Sequence, residues 1–245
     1  MVYGFIGMKK LIACMAILIL LQALSGCIAP EKIEIPEKYV LKAILKIEPQ
    51  IAYPNQTIKF DASETKGDIE EYWWNFNFPH WQWQIGDKIM SYNYSEPGIY
   101  KVALKVIDKN RNESAATSYV YINYQATIFG KVEKSQKNDT YIPIDFQVRG
   151  AVITLEYLPN YMGKLQLENL DLSAKVKRDE NYTYVKSDNT TPDNGRANVE
   201  LTRDDILFNA YGNWYAEVYY NITAAAPGQR QEIDYTLKIE LYYNP

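Results

Sequence analysis

Apolar side chains recur at every second position in four stretches of the chain, with mostly polar or aromatic neighbours between them. A period of two places the apolar side chains on one face of a β-strand, whereas helices repeat about every 3.6 residues. The pattern therefore predicts an all-β protein with half-buried strands. The alternating positions are Ala43, Leu45 and Ile47; Val102, Leu104 and Val106; Trp214, Ala216, Val218 and Tyr220; and Tyr235, Leu237, Ile239 and Leu241.

The second half of the chain consists of short strand-like segments separated by turn residues such as Pro192–Gly195 and Pro227–Gly228. Such spacing is typical of antiparallel sandwiches. It predicts a second β-sandwich over residues 126–245, with a jelly roll as one arrangement. Strands are predicted over residues 126–132, 142–158, 170–176, 182–185, 197–201, 214–220 and 235–243.

The N-terminus has the layout of an export signal. Lys9 and Lys10 precede an apolar run that ends near Ala23, and small residues lead to Cys27. The run is shorter than the about 20 residues needed to span a bilayer. We therefore expect a signal peptide over residues 1–26, with Met8 as an alternative start. An uncleaved anchor helix is the alternative, and both put the remainder outside the cell.

Leu24-Ser25-Gly26-Cys27 resembles the lipobox of prokaryotic lipoproteins. The resemblance implies that Cys27 is lipidated and becomes the first residue, which would anchor an archaeal lipoprotein to the outer face of the cytoplasmic membrane. Residues 27–39, with two prolines and several charges, then read as an extended linker. Cys14 would be removed with the signal, so the exported chain would have no internal disulfide.

Composition limits the classes of partner that the chain is expected to bind. The formal charge is −4, and loss of Lys9 and Lys10 would make the exported part more acidic, which disfavours a nucleic-acid partner. Seven Asn-x-Ser/Thr sequons indicate an exported glycoprotein, although an Asn- and Thr-rich chain also produces sequons by chance. The candidate glycosylation sites are Asn55, Asn93, Asn112, Asn138, Asn181, Asn189 and Asn221.

Three motifs follow one another between residues 40 and 123: Phe60-Asp61-Ala62-Ser63, Tyr72 to Asn77, and Tyr94 to Tyr100. Their order and spacing resemble the PKD domain, a small immunoglobulin-like β-sandwich of extracellular proteins. The resemblance implies a structural role for the motif residues. Trp74 would fill the gap between the sheets, Gly98 would allow a tight corner, and the Tyr100 hydroxyl would tie a loop.

The chain departs from the family after Trp74. The family's Asp-Phe-Gly-Asp-Gly turn is replaced by Asn75 to Pro79, and the segment through Lys88 is long and aromatic. Trp73, Trp81 and Trp83 are candidates for a ligand contact, because exposed indole rings insert into or stack on partners. The interpretation favoured by the sequence alone is that they cover an open sheet edge or seal the junction with the second sandwich.

Segments around Leu170-Asp171-Leu172, Gly212-Asn213-Trp214 and Tyr235-Thr236-Leu237 resemble the jelly-roll domains appended to secreted peptidases. Such domains are accessories, so the resemblance implies no catalysis. Adjacent acids such as Glu70-Glu71 and Asp204-Asp205 diverge on strands and helices, and we interpret them as solvated turn or strand charges. The sole histidine, His80, lacks a ligand cluster, so no metal site or cofactor is predicted, with loop calcium as the exception.

These features predict a non-catalytic cell-surface lipoprotein that works as a binding or spacing module in the envelope. Its partners would be the membrane, through the lipid, and an envelope protein or glycan. One alternative is an accessory or targeting subunit of a secreted hydrolase. Another is a ligand-capturing lipoprotein of a transporter, which the strand-rich pattern disfavours.

Overall fold

A computed structural model describes residues 40–80, 82–162, 165–166, 168–189, 195–221 and 228–245, without the side chains of residues 162, 165, 166 and 189. The signal segment, Cys27, the linker and Trp81 lie outside these ranges. Residues 41–245 group into one compact unit. The domain boundaries predicted from the sequence remain predictions, although two separate hydrophobic clusters divide the described residues near position 123.

The first cluster lies between a three-stranded and a five-stranded sheet. The strands are β1 (Lys46–Glu48), β2 (Ile51–Ala52), β3 (Ile58–Asp61), β4 (Ile69–Asn75), β5 (Gln84–Gly86), β6 (Ile89–Tyr92), β7 (Gly98–Asp108) and β8 (Glu113–Ile122). Their orders are β1-β3-β6 and β2-β8-β7-β4-β5. All described pairs are antiparallel except β2 with β8. Trp74 and Phe60 are fully buried between the sheets, as the motif resemblance implied.

The corner before β7 has the geometry expected from its sequence. Gly98 has a φ of 148°, a region that residues with a side chain rarely adopt. The Tyr100 hydroxyl donates a hydrogen bond to the Glu96 carbonyl at 2.9 Å. Tyr100 therefore ties the corner to its own loop, as in related sandwiches.

The second cluster lies between two four-stranded sheets of an all-antiparallel sandwich. The elements are β9 (Tyr124–Glu133), β10 (Lys137–Ile142), β11 (Gly150–Tyr157), β12 (Tyr161–Met162), β13 (Leu165–Gln166), β14 (Asn169–Arg178), β15 (Asn181–Asn189), β16 (Arg196–Leu201), α1 (Arg203–Phe208), β17 (Asn213–Asn221) and β18 (Glu232–Tyr242). The sheets have the orders β16-β11-β18-β9 and β10-β17-β14-β15, and β12 and β13 form a separate small hairpin.

This strand order is that of a jelly roll. Apart from the small hairpin, the first strand pairs with the last (β9 with β18), the second with the seventh (β10 with β17), the third with the sixth (β11 with β16), and the fourth with the fifth (β14 with β15). Such nested pairing is a long hairpin rolled into two four-stranded sheets. The prediction of an all-β protein with a second sandwich is confirmed, and the jelly roll is the arrangement found.

Two details of the predicted elements were wrong. The strand predicted over 142–158 is interrupted, because Pro143 has no N–H for a ladder and Asp145 accepts hydrogen bonds from the backbone of Gln147 and Val148. Asp204 and Asp205 do not lie in a turn or strand but begin helix α1. There the Thr202 and Asp205 side chains form a capping box.

Among the residues described, no helix is long and apolar enough to cross a membrane.

Candidate functional site

The outer face of the five-stranded sheet carries large apolar side chains that a solvated sheet face does not need. Trp74 points into the core, so its neighbour Trp73 points outward, opposite Lys105 on β7 and Ile85 on β5. Phe78 and Trp83, from the loop between β4 and β5, lie beside them. We call this surface the aromatic strip; its members are Trp73, Phe78, Trp83 and Ile85.

Lysine side chains hold the rings of the strip in place. The Lys105 ammonium lies 5.5 Å from the centre of the Trp73 ring and 5.8 Å from that of Trp83. The Lys101 ammonium lies 5.1 Å from the Phe78 ring, and Phe78 meets Trp83 edge to face at 6.2 Å. Cation–π contacts of this kind stabilise a defined ring orientation. Lys105 therefore links Trp73 and Trp83 into one surface.

Polar groups frame the same surface. The Trp73 indole N–H donates to a Glu71 carboxylate oxygen at 2.7 Å, and the Arg111 guanidinium donates to the other oxygen at 2.7 Å. These hydrogen bonds, from Trp73 first and Arg111 second, lower the pKa of Glu71. The strip is therefore bordered by a carboxylate that stays ionised and by the ammonium groups of Lys101 and Lys105.

Asn75 shapes the loop that carries Phe78. Its side chain is fully buried; its carbonyl oxygen accepts from the Asn77 backbone at 3.0 Å and its amide donates to the His80 carbonyl at 2.5 Å. The Phe78 N–H donates to the Lys101 carbonyl at 2.8 Å. An asparagine thus organises the turn where the related family has aspartate and glycines, and the loop lies along β7.

Of the three tryptophans predicted as ligand contacts, Trp73 and Trp83 come together and both are partly exposed. Trp81 lies outside the described residues. Ile85, in the edge strand β5, is 63% exposed. In the other interpretation, the tryptophans seal the junction with the second sandwich. The residues of the first sandwich that pack against the core of the jelly roll are instead Ile99 and Tyr121.

The described glycosylation candidates differ in exposure and in hydrogen bonding. Asn55, Asn93, Asn112 and Asn181 are exposed. The amides of three candidates donate hydrogen bonds within the protein: Asn112 to Asp108 at 2.8 Å, Asn138 to Tyr235 at 2.8 Å, and Asn221 to Asp171 at 2.9 Å. Cys27 and the Asn189 side chain lie outside the part of the chain that the structure describes. Lipidation and glycosylation remain predictions.

A second aromatic surface was missed by sequence reasoning. It lies on the outer face of the β10-β17-β14-β15 sheet, and we call it the tyrosine roof: Tyr141, Tyr182, Tyr184, Tyr215 and Tyr219. The Tyr215 ring meets those of Tyr141 and Tyr182 edge to face, at 5.9 and 6.1 Å. The available signal was the outward set in β17, where Tyr215, Glu217 and Tyr219 alternate with buried residues.

Charged groups are buried beneath the tyrosine roof. The Lys175 and Glu217 side chains are each only 4% exposed, and the Lys175 ammonium lies 2.6 Å from a Glu217 carboxylate oxygen. The same ammonium lies 2.7 Å from Asp139. Glu217 also accepts from Lys137 at 2.9 Å and from the Tyr184 hydroxyl at 2.9 Å. Lys137, Asp139, Lys175 and Glu217 together form an ion cluster, in which Lys175 and Glu217 are the buried members.

Hydrogen bonding outweighs burial in setting the charges of the cluster. Burial opposes ionisation of Glu217, but the bonds from Lys175, Lys137 and Tyr184 lower its pKa. Burial likewise opposes protonation of Lys175, but its bonds to Asp139 and Glu217 raise its pKa. Both groups are therefore charged and mutually paired near neutral pH.

An open groove of about 620 Å³ crosses the other sheet of the jelly roll, beside Phe129, Leu158 and Tyr235. Phe129 is 81% exposed, but the groove's Lys131 is already paired with Glu232 and Asp234. The groove has one highly exposed aromatic side chain, Phe129, whereas the aromatic strip has three aromatic side chains. Phe129 therefore provides a control for variants of the strip.

Among the described residues, no three His, Cys, Asp or Glu side chains are grouped so that they could hold a metal ion. The single histidine, His80, is exposed in the loop before Trp83. Loop calcium near Asp188, Asp193 and Asp204 remains a hypothesis.

Among the comparisons with known proteins, the match to a family model supports the fold of the first sandwich. No curated protein matches the chain. Among solved structures, one that is described in terms of the promiscuous specificity of carbohydrate-binding modules of the β-sandwich superfamily aligns with 84% of this chain and 98% of its own chain. The identity is 13% and the TM-score is 0.42. A SusE-like protein aligns over 83% and 98% of the two chains, at 9% identity and a TM-score of 0.25.

A Bacteroides ovatus protein, SGBP-B of a mixed-linkage glucan utilization locus, aligns over 77% of this chain and 49% of its own, at 10% identity and a TM-score of 0.23. Likenesses with TM-scores this low assign no ligand to the present chain. The family comparison is more specific. Residues 44–123 match the family model described as the PKD domain, in agreement with the motifs at Phe60, Trp74 and Tyr100.

Proposed function

We propose that this protein is a non-catalytic, surface-anchored binding protein whose PKD domain holds an envelope glycan on the aromatic strip. A lipid on Cys27 would keep it at the outer membrane face, and residues 27–39 would act as a spacer. The jelly roll would support and orient the PKD domain. The observation that carries the proposal is the grouping of Trp73, Phe78 and Trp83 on one sheet face.

The chemistry of the strip suits a saccharide. A sugar ring has apolar C–H faces and a rim of hydroxyl groups. Indole and phenyl rings offer flat apolar contact area at low conformational cost. The Glu71 carboxylate and the Lys105 ammonium at the border can accept from and donate to hydroxyl groups. A ligand can therefore stack and form hydrogen bonds without rearranging the sheet.

Rigidity favours binding here. Trp73 lies in β4, which is paired with β7 on one side and β5 on the other. Its ring is fixed by Glu71 and Lys105. Because these side chains are already ordered in the free protein, association costs less side-chain entropy. The proposal therefore needs no conformational change on binding.

Retention on immobilised polysaccharide from the native envelope tests the contact. The double variant Trp73→Ala/Trp83→Ala should bind at least about 30-fold more weakly, the loss expected for removing a contact worth about 2 kcal/mol. Phe129→Ala is the matched control, since it removes an exposed aromatic ring from the jelly roll and should leave retention unchanged. Equal retention of the double variant and the unaltered protein would reject the strip as the contact.

The anchor is tested separately. Cys27→Ser should move the protein from the membrane fraction to the medium or soluble fraction, because the thiol that carries the lipid is lost. Continued membrane association of the variant in high salt would contradict lipid anchoring at Cys27. The outcome does not depend on the glycan contact.

A further inference from the structure

Three neighbouring strands of the jelly roll bring an amine and two carboxylates together under the tyrosine roof. Asp139 lies in β10, Glu217 in the central strand β17, and Lys175 in β14. The Lys175 ammonium is 2.7 Å from Asp139 and 2.6 Å from Glu217. The Tyr182 ring lies over the ammonium, 4.2 Å from it. Water therefore has little access to the amine.

We propose that Lys175 and Asp139 join in an intramolecular amide bond, with Glu217 acting as the proton carrier. The product is a covalent crosslink between β10 and β14, reaching over β17. It is a modification of this chain by its own residues and requires no other reactant. It is independent of the glycan contact proposed above.

The reaction balances within the three side chains. The Lys175 ammonium transfers a proton to the nearer Glu217 oxygen, which leaves a free electron pair on Nζ. That pair attacks Cγ of Asp139 and forms the N–C bond. Glu217 delivers the proton to a carboxyl oxygen of Asp139, a second proton from Nζ follows by the same route, and the C–O bond breaks. One water leaves, Glu217 is again a carboxylate, and no electrons are gained or lost.

Proximity and the loss of two buried charges favour the overall reaction, whereas the hydrogen bonds that raise the pKa of Lys175 slow its first proton transfer. Groups held at contact distance react as if at very high concentration, with effective molarities on the order of 10⁵ M or more. Removing two charges from water is costly, and the reaction replaces a buried ion pair with a neutral amide. The Asp139 side chain is 32% exposed, so the released water has a path to solvent. Because the bond forms once per molecule, a slow rate suffices.

Two other described lysine–carboxylate pairs of the jelly roll lack this environment. Lys238 lies 2.8 Å from Glu156, but the two side chains are 47% and 36% exposed. Lys186 and Asp205, also at 2.8 Å, are 40% and 24% exposed. In such pairs the charged groups keep much of their hydration. Lys238 and Glu156 therefore serve as the internal control for the reaction.

Peptide mass spectrometry on the full-length protein, isolated from membranes and digested with trypsin, tests the proposal. The expected product is one branched peptide in which residues 138–149 are joined to residues 165–177, lighter by one water than the two parts together. Trypsin would not cleave after Lys175 in this product. Recovery of residues 165–175 as a linear peptide from essentially all of the protein would refute the crosslink.

Variants identify the reacting groups. Asp139→Asn should still crosslink but with loss of ammonia instead of water, because the amide nitrogen becomes the leaving group. Glu217→Gln should leave both peptides linear, with folding verified by circular dichroism. A crosslink that persists in Glu217→Gln would overturn the role of Glu217. If that variant does not fold, the peptides of the unaltered protein still decide whether the bond exists.

Discussion

The two aromatic sheet faces use the same residue types in opposite ways. On the PKD domain, Lys101 and Lys105 lie against rings that remain partly exposed, and Glu71 borders the surface. On the jelly roll, the Lys175 Nζ lies beneath the rings, 2.6 Å from Glu217 and 2.7 Å from Asp139. The rings of the first surface are accessible to a binding partner. The second uses its rings to enclose a charged centre.

The difference shows that an outward position on a strand does not define an environment. Lys105 and Lys175 both occupy outward positions between buried neighbours, yet their side chains are 30% and 4% exposed. What separates them is the neighbouring strand. Beside Lys175, Tyr182 and Tyr184 of β15 close over the ammonium, whereas the strip ends at the short edge strand β5.

Removing a carboxylate from each face gives the largest expected contrast. Glu217→Ala should lower the free energy of unfolding by about 3–5 kcal/mol, since it leaves the buried Lys175 without its closest partner and also prevents the proposed crosslink. Glu113→Ala, which removes the 57% exposed partner of Lys105, should change it by less than about 1 kcal/mol. Chemical denaturation of both variants measures the contrast, and similar values would contradict the assigned environments.

The contribution of the roof itself should be smaller. Tyr184→Phe removes the hydroxyl that donates to Glu217 and should cost about 1–2 kcal/mol in unfolding free energy, because a hydrogen bond to a carboxylate is lost. Tyr119→Phe, on the outer face of the five-stranded sheet and 45% exposed, is the matched control and should be close to neutral. If Tyr184→Phe were also neutral in denaturation, the roof would contribute packing alone.

The partly exposed ion pair between Lys186 and Asp205 gives a smaller effect on stability that depends on pH. Hydrogen bonding from Lys186, aided by Thr202, lowers the pKa of Asp205 to about 2. A lowered carboxyl pKa stabilises the folded state above the ordinary value of 3.8, and this contribution is lost as the pH falls through about 2. Asp205→Asn should therefore cost about 1 kcal/mol at neutral pH, through loss of the capping box and the ion pair, and little at pH 2.

Asp204→Asn is the control for this smallest effect, because Asp204 is exposed at the same helix terminus. Unfolding free energies at neutral pH and near pH 2 compare the two variants. A cost for Asp205→Asn that stays constant over this range would show that the pair with Lys186 does not set its protonation.

Much of the fold could be predicted from the sequence, for identifiable reasons. The alternation at Trp214–Tyr220 and Tyr235–Leu241 fixes which face of β17 and β18 is buried, and Gly98 with Tyr100 fixes the corner. Helix α1 could not be predicted by periodicity, since six residues span fewer than two turns. Strand β10 is polar along most of its length and lacks the alternating pattern.

The candidate sites were only partly predictable. Trp73 and Trp83 stood out as large apolar residues in an unusual segment, but their connection through Lys105 depends on the register between β4 and β7. The ion cluster depends on three strands that are distant in sequence: Lys175 and Glu217 are 42 positions apart. No local pattern distinguishes a lysine covered by tyrosines from a solvated one.

The glycan contact is the central claim, and calorimetric titration tests it most directly. Oligosaccharides released from the native envelope are titrated into the unaltered protein, Trp73→Ala/Trp83→Ala and Tyr182→Ala, the last removing a 43% exposed ring of the roof. We predict that the unaltered protein and Tyr182→Ala bind with equal affinity and that the tryptophan variant shows no measurable heat. Equal binding by all three, or loss of binding only in Tyr182→Ala, would contradict the account.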